Sequence, residues 1–454
     1  MLKRILYNFA LIIIAVVTAS ILYTCKNNNE QIDGKAIDPH KAKIQINWVG
    51  HWYKEGEKEI LVREIANEYE FLNQDIKINL KFPEEIYGNA FNADFGFIVD
   101  QIKKPIPDWD IIRLYGGYST IGMLLNDTNW MEKYLIDFSQ VPGFMESHHS
   151  FLNNKLYKNR FKNKFYGPYS EGQIAALFVN VEVAKKIGIT VNQFDMTFDD
   201  FLSYIKAAYE YNKTHPNIIP IFEYNWGKTL TIFNMLFISL MDNTEELLDT
   251  KLTAKKLYAI EKCYQAFEEL SKYNAIEKDW EQHNWTYEND KILNDSCLFF
   301  PNLTLMYSIW KMKSEEKMSK VIPCEFPVFK PSSAYIGGYT PNWVVLKNSP
   351  HKDEAVKLLM YWCTPGVAEK WVRISKSPSG VKGSFTTSSF GVDPFETYSY
   401  TIEKKYGGNL IKDEDLEYIV GARNKNVPLR VQEVLEGKLS AKDAFDAFKK
   451  LAVY

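Results

Sequence analysis

Apolar and polar residues first alternate regularly just after residue 43. Ile44, Ile46 and Trp48 are separated by polar residues, which is typical of a strand with one buried face. Apolar residues recur at helical spacing over 57–72, and a second strand-like segment, 76–82, follows. A strand, a helix and a strand in this order predict two parallel strands covered by a helix. The folded part of the chain therefore begins as an α/β protein.

Helix signals continue this pattern in the second half of the chain. Thr197 with Asp200 three residues later predicts a capping box that opens a helix. The segment 230–241 is apolar almost throughout, which predicts a helix buried on all sides. Ser440 with Asp443 predicts a second capping box near the end. Helices and short apolar strands thus alternate along most of the chain.

The amino-terminal segment has the pattern of an export signal. Lys3 and Arg4 precede an uncharged apolar run over 5–24. Basic residues before such a run keep its amino end in the cytoplasm, so we expect the rest of the chain to be exported. The run is also long enough to span a bilayer, so an uncleaved membrane anchor remains an alternative.

The end of this segment resembles a bacterial lipobox, because Leu22 stands three residues before Cys25. The resemblance implies a signal peptide with its lipobox over 1–25 and a lipid attached to Cys25. Residues 26–42 are polar and contain too little apolar surface to fold, so they are expected to form a flexible tether. Either reading places the domain on the outer face of the cytoplasmic membrane, in the periplasm or at the cell surface.

Length and charge narrow the functional classes. A chain of 454 residues with 46% hydrophobic residues exceeds what one core usually serves, which favours two lobes. The net charge of −3, with both signs interspersed, leaves no basic stripe for nucleic acid. We therefore expect no nucleic-acid partner, and we expect a monomer.

The sequence carries no motif for metal binding or catalysis. Four cysteines follow Cys25 without any CxxC pair, and the adjacent His148 and His149 would point apart on a helix. Nucleophile-elbow, zinc-protease and phosphate-loop motifs are all absent from the sequence. We expect neither a metal, nor a cofactor, nor enzyme activity. An exported carbohydrate-active hydrolase stays open as an alternative, because glycosidase carboxylates have no fixed sequence spacing.

Several segments resemble extracellular solute-binding proteins of ABC importers, the sugar-binding family typified by maltose-binding protein. The stretch 163–190 resembles the segment in which that family crosses from its first lobe to its second. The Gly-Gly and Val-Leu-Lys-x-Ser arrangement of 337–349 resembles the return across a second hinge. Shorter likenesses occur at 107–114, 135–138, 197–200, 290–302, 324–331 and 431–443.

The resemblance implies a two-lobed α/β periplasmic-binding-protein fold of type II, the Venus flytrap, with hinge crossings between the lobes. Lobe 1 would comprise 43–172 and 329–378, and lobe 2 would comprise 174–327 and 379–454. The implied function is that of a substrate-binding lipoprotein that captures a mono- or oligosaccharide between its lobes. It would deliver this solute to the transmembrane permease subunits of an ABC importer.

Candidate solute contacts are aromatic and polar residues in loops at strand ends, where doubly wound sheets bind ligands. Aromatic rings stack on the apolar faces of sugars, and polar side chains bond the hydroxyls. We expect Glu171, Trp226 and Tyr339 to contribute most, whereas Trp48 and Trp343 are open between solute contact and strand core. The full set is Trp48, His51, Trp52, Tyr115, Tyr118, Tyr169, Glu171, Tyr224, Trp226, Asn302, Tyr339 and Trp343.

Another solute is possible within the same fold. Iron-binding relatives use paired tyrosines as oxygen ligands, and Tyr398 with Tyr400 offers such a pair. The alternating Tyr-Ser-Tyr is, however, also typical of the half-exposed face of a strand. A strand is therefore the structure we expect at these residues.

Overall fold

The computed structural model describes most of the chain from Lys43 onward. The described residues are 43–88, 95–114, 118–153, 158, 162–215, 217–225, 227–249, 251–284, 290–383, 393–412, 416 and 429–452. The predicted signal peptide, lipobox and tether lie outside them.

Two β-sheets organise the described residues. The first sheet has the order β2-β1-β3-β9, in which β1 is parallel to β2 and β3 while β9 is antiparallel to β3. The second has the order β10-β8-β4-β6-β5, and β7 also pairs with β4. The strands are β1 (Ile44–Val49), β2 (Ile76–Lys81), β3 (Ile111–Arg113), β4 (Glu171–Asn180), β5 (Ile219–Ile221), β6 (Cys297–Leu303), β7 (Val321–Cys324), β8 (Tyr335–Thr340), β9 (Trp343–Val345) and β10 (Leu410–Ile411).

Helices flank both sheets. The described α-helices of the first half are α1 (Glu57–Leu72), α2 (Pro83–Tyr87), α3 (Phe95–Lys103), α4 (Tyr118–Leu125), α5 (Trp130–Tyr134), α6 (Phe144–Ser147), α7 (Val181–Ile187) and α8 (Phe198–Asn212). Those of the second half are α9 (Thr229–Ser239), α10 (Thr244–Leu248), α11 (Ala254–Ser271), α12 (Met306–Lys313), α13 (Glu315–Met318), α14 (Lys352–Tyr361), α15 (Pro365–Ser375), α16 (Pro394–Tyr406), α17 (Val431–Leu435) and α18 (Ala441–Ala452). Short 3-10 turns include Ser150–Asn153 and Trp280–Gln282.

Strands β4 and β8 join the two sheets. The first part of β4 is antiparallel to β8, with Glu171 opposite Thr340, and its second part pairs with β6 and β7. After β8 the chain enters the first sheet directly as β9. The backbone passes closely here, because a Cβ added to Gly167 would meet the Trp343 carbonyl oxygen at 2.0 Å. Two neighbouring chain segments therefore connect the sheets, as a hinge requires.

Local sequence signals account for several of these elements. Helix α1 has the bounds predicted from its apolar spacing, and the capping box of Thr197 and Asp200 opens α8 as predicted. The aromatic residues 164–166, which stand before a Gly-Pro turn, also predict a short strand, and this prediction is wrong because they belong to no strand in the structure. The lobe boundaries stay a prediction, although β8, placed within lobe 1, pairs in the second sheet.

The strand expected around Tyr398 is also wrong. Tyr398 and Tyr400 lie on α16, where Asp393 accepts hydrogen bonds from the backbone N–H groups of Phe395 and Glu396. A capping aspartate followed by Pro394 at the first helical position is a strong helix start. These signals outweigh the alternating pattern of the tyrosines.

Candidate functional site

Several polar side chains lie at or next to the ends of strands in the first sheet. His51 comes just after β1, Arg113 ends β3, and Asn342 precedes β9. Because β1 and β3 are parallel, their carboxyl ends lie at the same edge of the sheet. Glu171 begins the hinge strand β4 beside this edge. The topology thus brings together residues that are far apart in sequence.

The Glu171 side chain is almost inaccessible to solvent. It is 3% exposed, and its Oε1 accepts a hydrogen bond of 2.9 Å from the Gln173 amide. Its Oε2 makes no hydrogen bond of regular geometry within the described residues, although the Asn342 amide lies close enough to lower the pKa of the carboxyl. Burial raises the pKa of Glu171, while the charge of Lys58 and the amides of Gln173 and Asn342 act in the opposite direction. Because the protein supplies this buried carboxyl with few well-aligned donors, it can accept a hydrogen bond from a ligand hydroxyl.

Lys58 supplies positive charge beside Glu171. It lies in the first turn of α1 and is 2% exposed, and its Nζ is 3.1 Å from Glu55 Oε2. The same ammonium lies 5.9 Å from the centre of the Trp371 ring. A buried lysine of this kind is held by its carboxylate partner and by the ring face.

His51 completes this group and carries no charge at neutral pH. Burial lowers its pKa well below the usual value, and the positive charges of Arg113 and Lys58 lower it further. Its ring stacks on Trp52 with the ring centres 4.4 Å apart. We call His51, Glu55, Lys58, Arg113, Glu171 and Asn342 the junction cluster. Its polar groups of both signs lie beside aromatic faces, a combination suited to a hydroxyl-rich solute.

Three predicted tryptophans pack behind this cluster. Trp48 and Trp343 are fully buried, and their ring centres are 5.1 Å apart in an edge-to-face arrangement. Trp52 is 3% exposed and lies 4.6 Å from Trp371, with a positive φ of 68°. Trp48 and Trp343 therefore have the positions of core residues in this arrangement, and Trp52 links the core to His51. Their roles as solute contacts stay predictions.

The second sheet contributes a separate polar pair. Asn302 at the end of β6 donates a hydrogen bond of 3.1 Å to the Tyr224 hydroxyl oxygen. Burial raises the pKa of Tyr224, with a smaller contribution from the charge of Glu223. The Glu223 carboxylate accepts hydrogen bonds from the N–H groups of Tyr224, Lys228 and Thr229, which fixes the loop before α9. Tyr224 and Asn302 are thus held together, and their roles as solute contacts stay predictions.

Tyr169 and Tyr339 form a third group near the hinge. Both are almost fully buried and both pack on Phe151, whose ring centre is 4.2 Å from that of Tyr339. The Tyr339 hydroxyl donates to Glu403 Oε1 at 3.4 Å. Tyr118 is half-buried at the start of α4, where its carbonyl accepts a hydrogen bond from the Trp130 indole. None of these three is a member of the junction cluster.

Three predicted residues lie outside the described residues: Tyr115, Trp226 and the lipidation candidate Cys25. Four members of the junction cluster were not predicted, namely Glu55, Lys58, Arg113 and Asn342. Their signal in the sequence was position: Arg113 ends β3 and Asn342 precedes β9, while Glu55 lies in the loop after β1 and Lys58 in the first turn of α1. Charged residues at such places are common, so position alone does not select them.

The two residue pairs considered as metal ligands from the sequence, His148–His149 and Tyr398–Tyr400, include side chains that form hydrogen bonds within the fold. His148 is buried; its Nδ1 lies 2.8 Å from the Phe144 carbonyl, and its Nε2 accepts a hydrogen bond from the Tyr169 N–H. Tyr398 is fully buried and donates a hydrogen bond of 2.6 Å to the Ala175 carbonyl. Residues two apart on a helix point in different directions, so Tyr398 and Tyr400 do not face one site.

A family model for bacterial extracellular solute-binding proteins matches residues 90–394, which is more than half of the chain. The protein belongs to this family. No curated protein sequence matches it. This family consists of solute-binding proteins rather than enzymes, and it is an extracellular family.

Solved structures establish the fold of this solute-binding protein. Apo RafE from Streptococcus pneumoniae superposes with a TM-score of 0.64 at 16% identity, covering 90% of this chain and 97% of that one. RafE in complex with raffinose superposes with a TM-score of 0.61 at 15% identity, and the match covers 90% of this chain and 100% of that one. The GacH receptor of Streptomyces glaucescens was solved unliganded and with acarbose. It superposes with a TM-score of 0.62 at 14% identity, and the match covers 90% of this chain and 98% of that one. The predicted two-lobed α/β fold is confirmed.

Within the described residues, no helix combines the length and apolar character needed to cross a bilayer. The predicted anchoring segment lies before the first described residue.

Proposed function

We propose that this solute-binding protein captures a carbohydrate between its two lobes and serves as the substrate-binding lipoprotein of an ABC-type importer. The observation that carries the proposal is the junction cluster, in which the buried Glu171 carboxylate lies beside Asn342 and Lys58, with one oxygen that makes no hydrogen bond of regular geometry, and in which His51 stacks on Trp52. A sugar hydroxyl would donate to that oxygen.

The comparison with known structures supports a carbohydrate as the solute. Related folds in the comparison were solved with raffinose, with acarbose and with stachyose. Identity to these proteins is 14–16%, so the specific sugar is a matter for experiment. The cationic and acidic side chains of the junction cluster can both form hydrogen bonds with sugar hydroxyls, because a hydroxyl both donates and accepts.

A lobe closure follows from the position of the site. The junction cluster belongs to the first sheet and the hinge, whereas Tyr224 and Asn302 belong to the second sheet. A solute that contacts both groups would favour the closed form, since these contacts exist together only when the lobes meet. The proposal includes an anchored location, through a lipid on Cys25, and delivery of the solute to permease subunits.

We infer capture without cleavage. A glycosidase needs a pair of carboxyl groups of which one protonates the leaving oxygen. In the junction cluster Glu55 is already paired with Lys58 at 3.1 Å, so its charge is committed to that partner. Product analysis after long incubation with a bound oligosaccharide distinguishes the two functions. Intact sugar supports capture, and released shorter sugars would establish the hydrolase.

A thermal-shift screen over mono- and oligosaccharides tests the proposal. A ligand at 100 times its dissociation constant adds about 2.7 kcal/mol to the free energy of unfolding, which raises the melting temperature measurably. We expect a subset of saccharides to stabilise the wild type and to stabilise Glu171→Gln less. The proposal fails if no saccharide stabilises the wild type while another class of solute does.

A further inference from the structure

Three metal-ligating side chains come together on the second-sheet side, away from the junction cluster. Glu277, Asp279 and His283 place one ligand atom each within 4.8 Å of the other two. They lie on the segment after α11 and around the 3-10 turn Trp280–Gln282. His283 is buried, Glu277 is half-buried and Asp279 is exposed. The group is therefore open to solvent on one side and anchored on the other.

His283 is oriented by its second ring nitrogen. Its Nδ1 lies 3.1 Å from the Glu223 carbonyl oxygen, which can only accept, so Nδ1 carries the hydrogen. In the neutral ring Nε2 then presents a lone pair, and it lies 3.3 Å from Glu277 Oε2. A carbonyl that fixes the far nitrogen is the usual support of a metal-binding histidine. Two acceptor atoms at this separation require a cation between them, either a proton or a metal ion.

We propose that Glu277, Asp279 and His283 bind a divalent transition-metal cation such as Zn²⁺. One imidazole nitrogen and two carboxylate oxygens form a mixed donor set that suits Zn²⁺ better than Mg²⁺ or Ca²⁺, which prefer oxygen alone. Ligand atoms about 2.0–2.2 Å from one ion are up to roughly 4 Å apart. The exposed side chain of Asp279 can close the remaining gap by a change of rotamer.

The site is connected to the loop that carries Tyr224. The backbone carbonyl of His283 accepts a hydrogen bond of 3.2 Å from the Asn225 N–H, in addition to the ring contact with the Glu223 carbonyl. The imidazole also stacks on Phe222, with ring centres 5.3 Å apart. A cation on Nε2 would therefore restrain the 222–225 loop from its outer side and stabilise the folded protein.

Calorimetric titration of the EDTA-treated full chain, purified in detergent, with ZnCl₂ tests this proposal without any sugar. We expect one Zn²⁺ per chain, a higher melting temperature with Zn²⁺, and little response to MgCl₂. Glu277→Gln and Asp279→Asn should each weaken Zn²⁺ binding at least tenfold. Glu281→Gln, which removes an exposed carboxylate from the same segment, is the matched control and should bind as the wild type does.

A second probe gives a direct view of the ligands. CoCl₂ should produce visible absorption bands in the wild type and in Glu281→Gln, and weaker or shifted bands in Asp279→Asn. The proposal is overturned if the wild type binds no stoichiometric Zn²⁺, which would mean that His283 and Glu277 share only a proton. It is equally overturned if Glu277→Gln and Asp279→Asn both bind Zn²⁺ as tightly as the wild type.

Discussion

Lys311 on α12 and Glu57 at the start of α1 form an ion pair, although 254 residues separate them. Lys311 Nζ lies 3.1 Å from one Glu57 oxygen and 3.2 Å from the other. Beside the pair, a Cβ added to Gly56 would meet the Met312 sulfur at 2.9 Å. Helix α12 follows a strand of the second sheet and α1 follows a strand of the first, so this contact joins the two halves next to the junction cluster.

Removing this ion pair should speed the release of solute. Glu57→Gln loses an attraction of about 0.2–1 kcal/mol, typical of a partly exposed pair, so dissociation should accelerate a few-fold at low salt. Stopped-flow tryptophan fluorescence measures the rate. Glu64→Gln, at an exposed position of the same helix, is the control and should release solute at the wild-type rate. Equal rates for Glu57→Gln and the wild type at low salt would show that the pair does not hold the halves together.

The Tyr224–Asn302 pair should contribute to affinity from the second sheet. Asn302→Ala removes the donor to the Tyr224 hydroxyl and should weaken solute binding by roughly 1–2 kcal/mol. Tyr224→Phe removes only the hydroxyl and should change affinity in the same direction. Calorimetry with the stabilising saccharide measures both variants. Wild-type affinity in both would place the solute elsewhere.

Asn180 should be a large stability determinant. Its amide donates to the Ile292 carbonyl and to Asp295, and its oxygen caps α7 by accepting from the Val183 N–H. Asn180→Ala leaves these buried groups unpaired and should cost roughly 2–4 kcal/mol in free energy of unfolding. The exposed cap Asn243 should cost about 1 kcal/mol on the same change. Urea denaturation compares the two, and equal costs would contradict the role of the buried network.

Glu403 should make stability depend on pH. Burial raises its pKa to about 8, although the hydrogen bond from Tyr339 acts in the opposite direction. The folded state then binds more protons than the unfolded state between pH 4.5 and about 8, so stability falls as pH rises through this interval.

Glu403→Gln removes this titration. Its free energy of unfolding should fall less steeply than that of the wild type, by up to about 1.4 kcal/mol for each pH unit between pH 5 and 8. Urea denaturation at several pH values measures the slope. Glu316→Gln, at an exposed position, should keep the wild-type slope. If Glu403→Gln keeps it too, then Glu403 is ionised in the folded protein.

Much of the fold could be predicted because local signals and tertiary packing agree. The apolar spacing of α1 and the capping box of α8 each specify one element by contacts within a few residues. The pattern around Tyr398 misled because alternation over three residues is short, whereas the Asp393–Pro394 start determines a helix of 13 residues. When a short alternating pattern and helix-capping residues predict different structures, the capping residues determine the outcome here.

The site could be predicted only in part. Glu171 and His51 follow from their places beside the hinge and after the first strand. Lys58 could not be found, because its closeness to Glu171 depends on how α1 packs near β4, over more than a hundred residues of chain. Trp48 and Trp343 were predicted as candidate contacts but are fully buried in the structure. The sequence does not distinguish the two cases, because an aromatic ring near a strand end can also belong to the core.

Titration of the wild type and of Glu171→Gln with the saccharide that stabilises the protein tests the central claim most directly. Glu245→Gln, an exposed carboxylate on α10, serves as the matched control. We predict one bound saccharide per chain, at least tenfold weaker binding in Glu171→Gln, and wild-type affinity in Glu245→Gln, because Glu171 is a buried acceptor within the junction cluster whereas Glu245 is exposed. Unchanged affinity in Glu171→Gln, or no saccharide binding by the wild type, would contradict capture of a carbohydrate at the junction cluster.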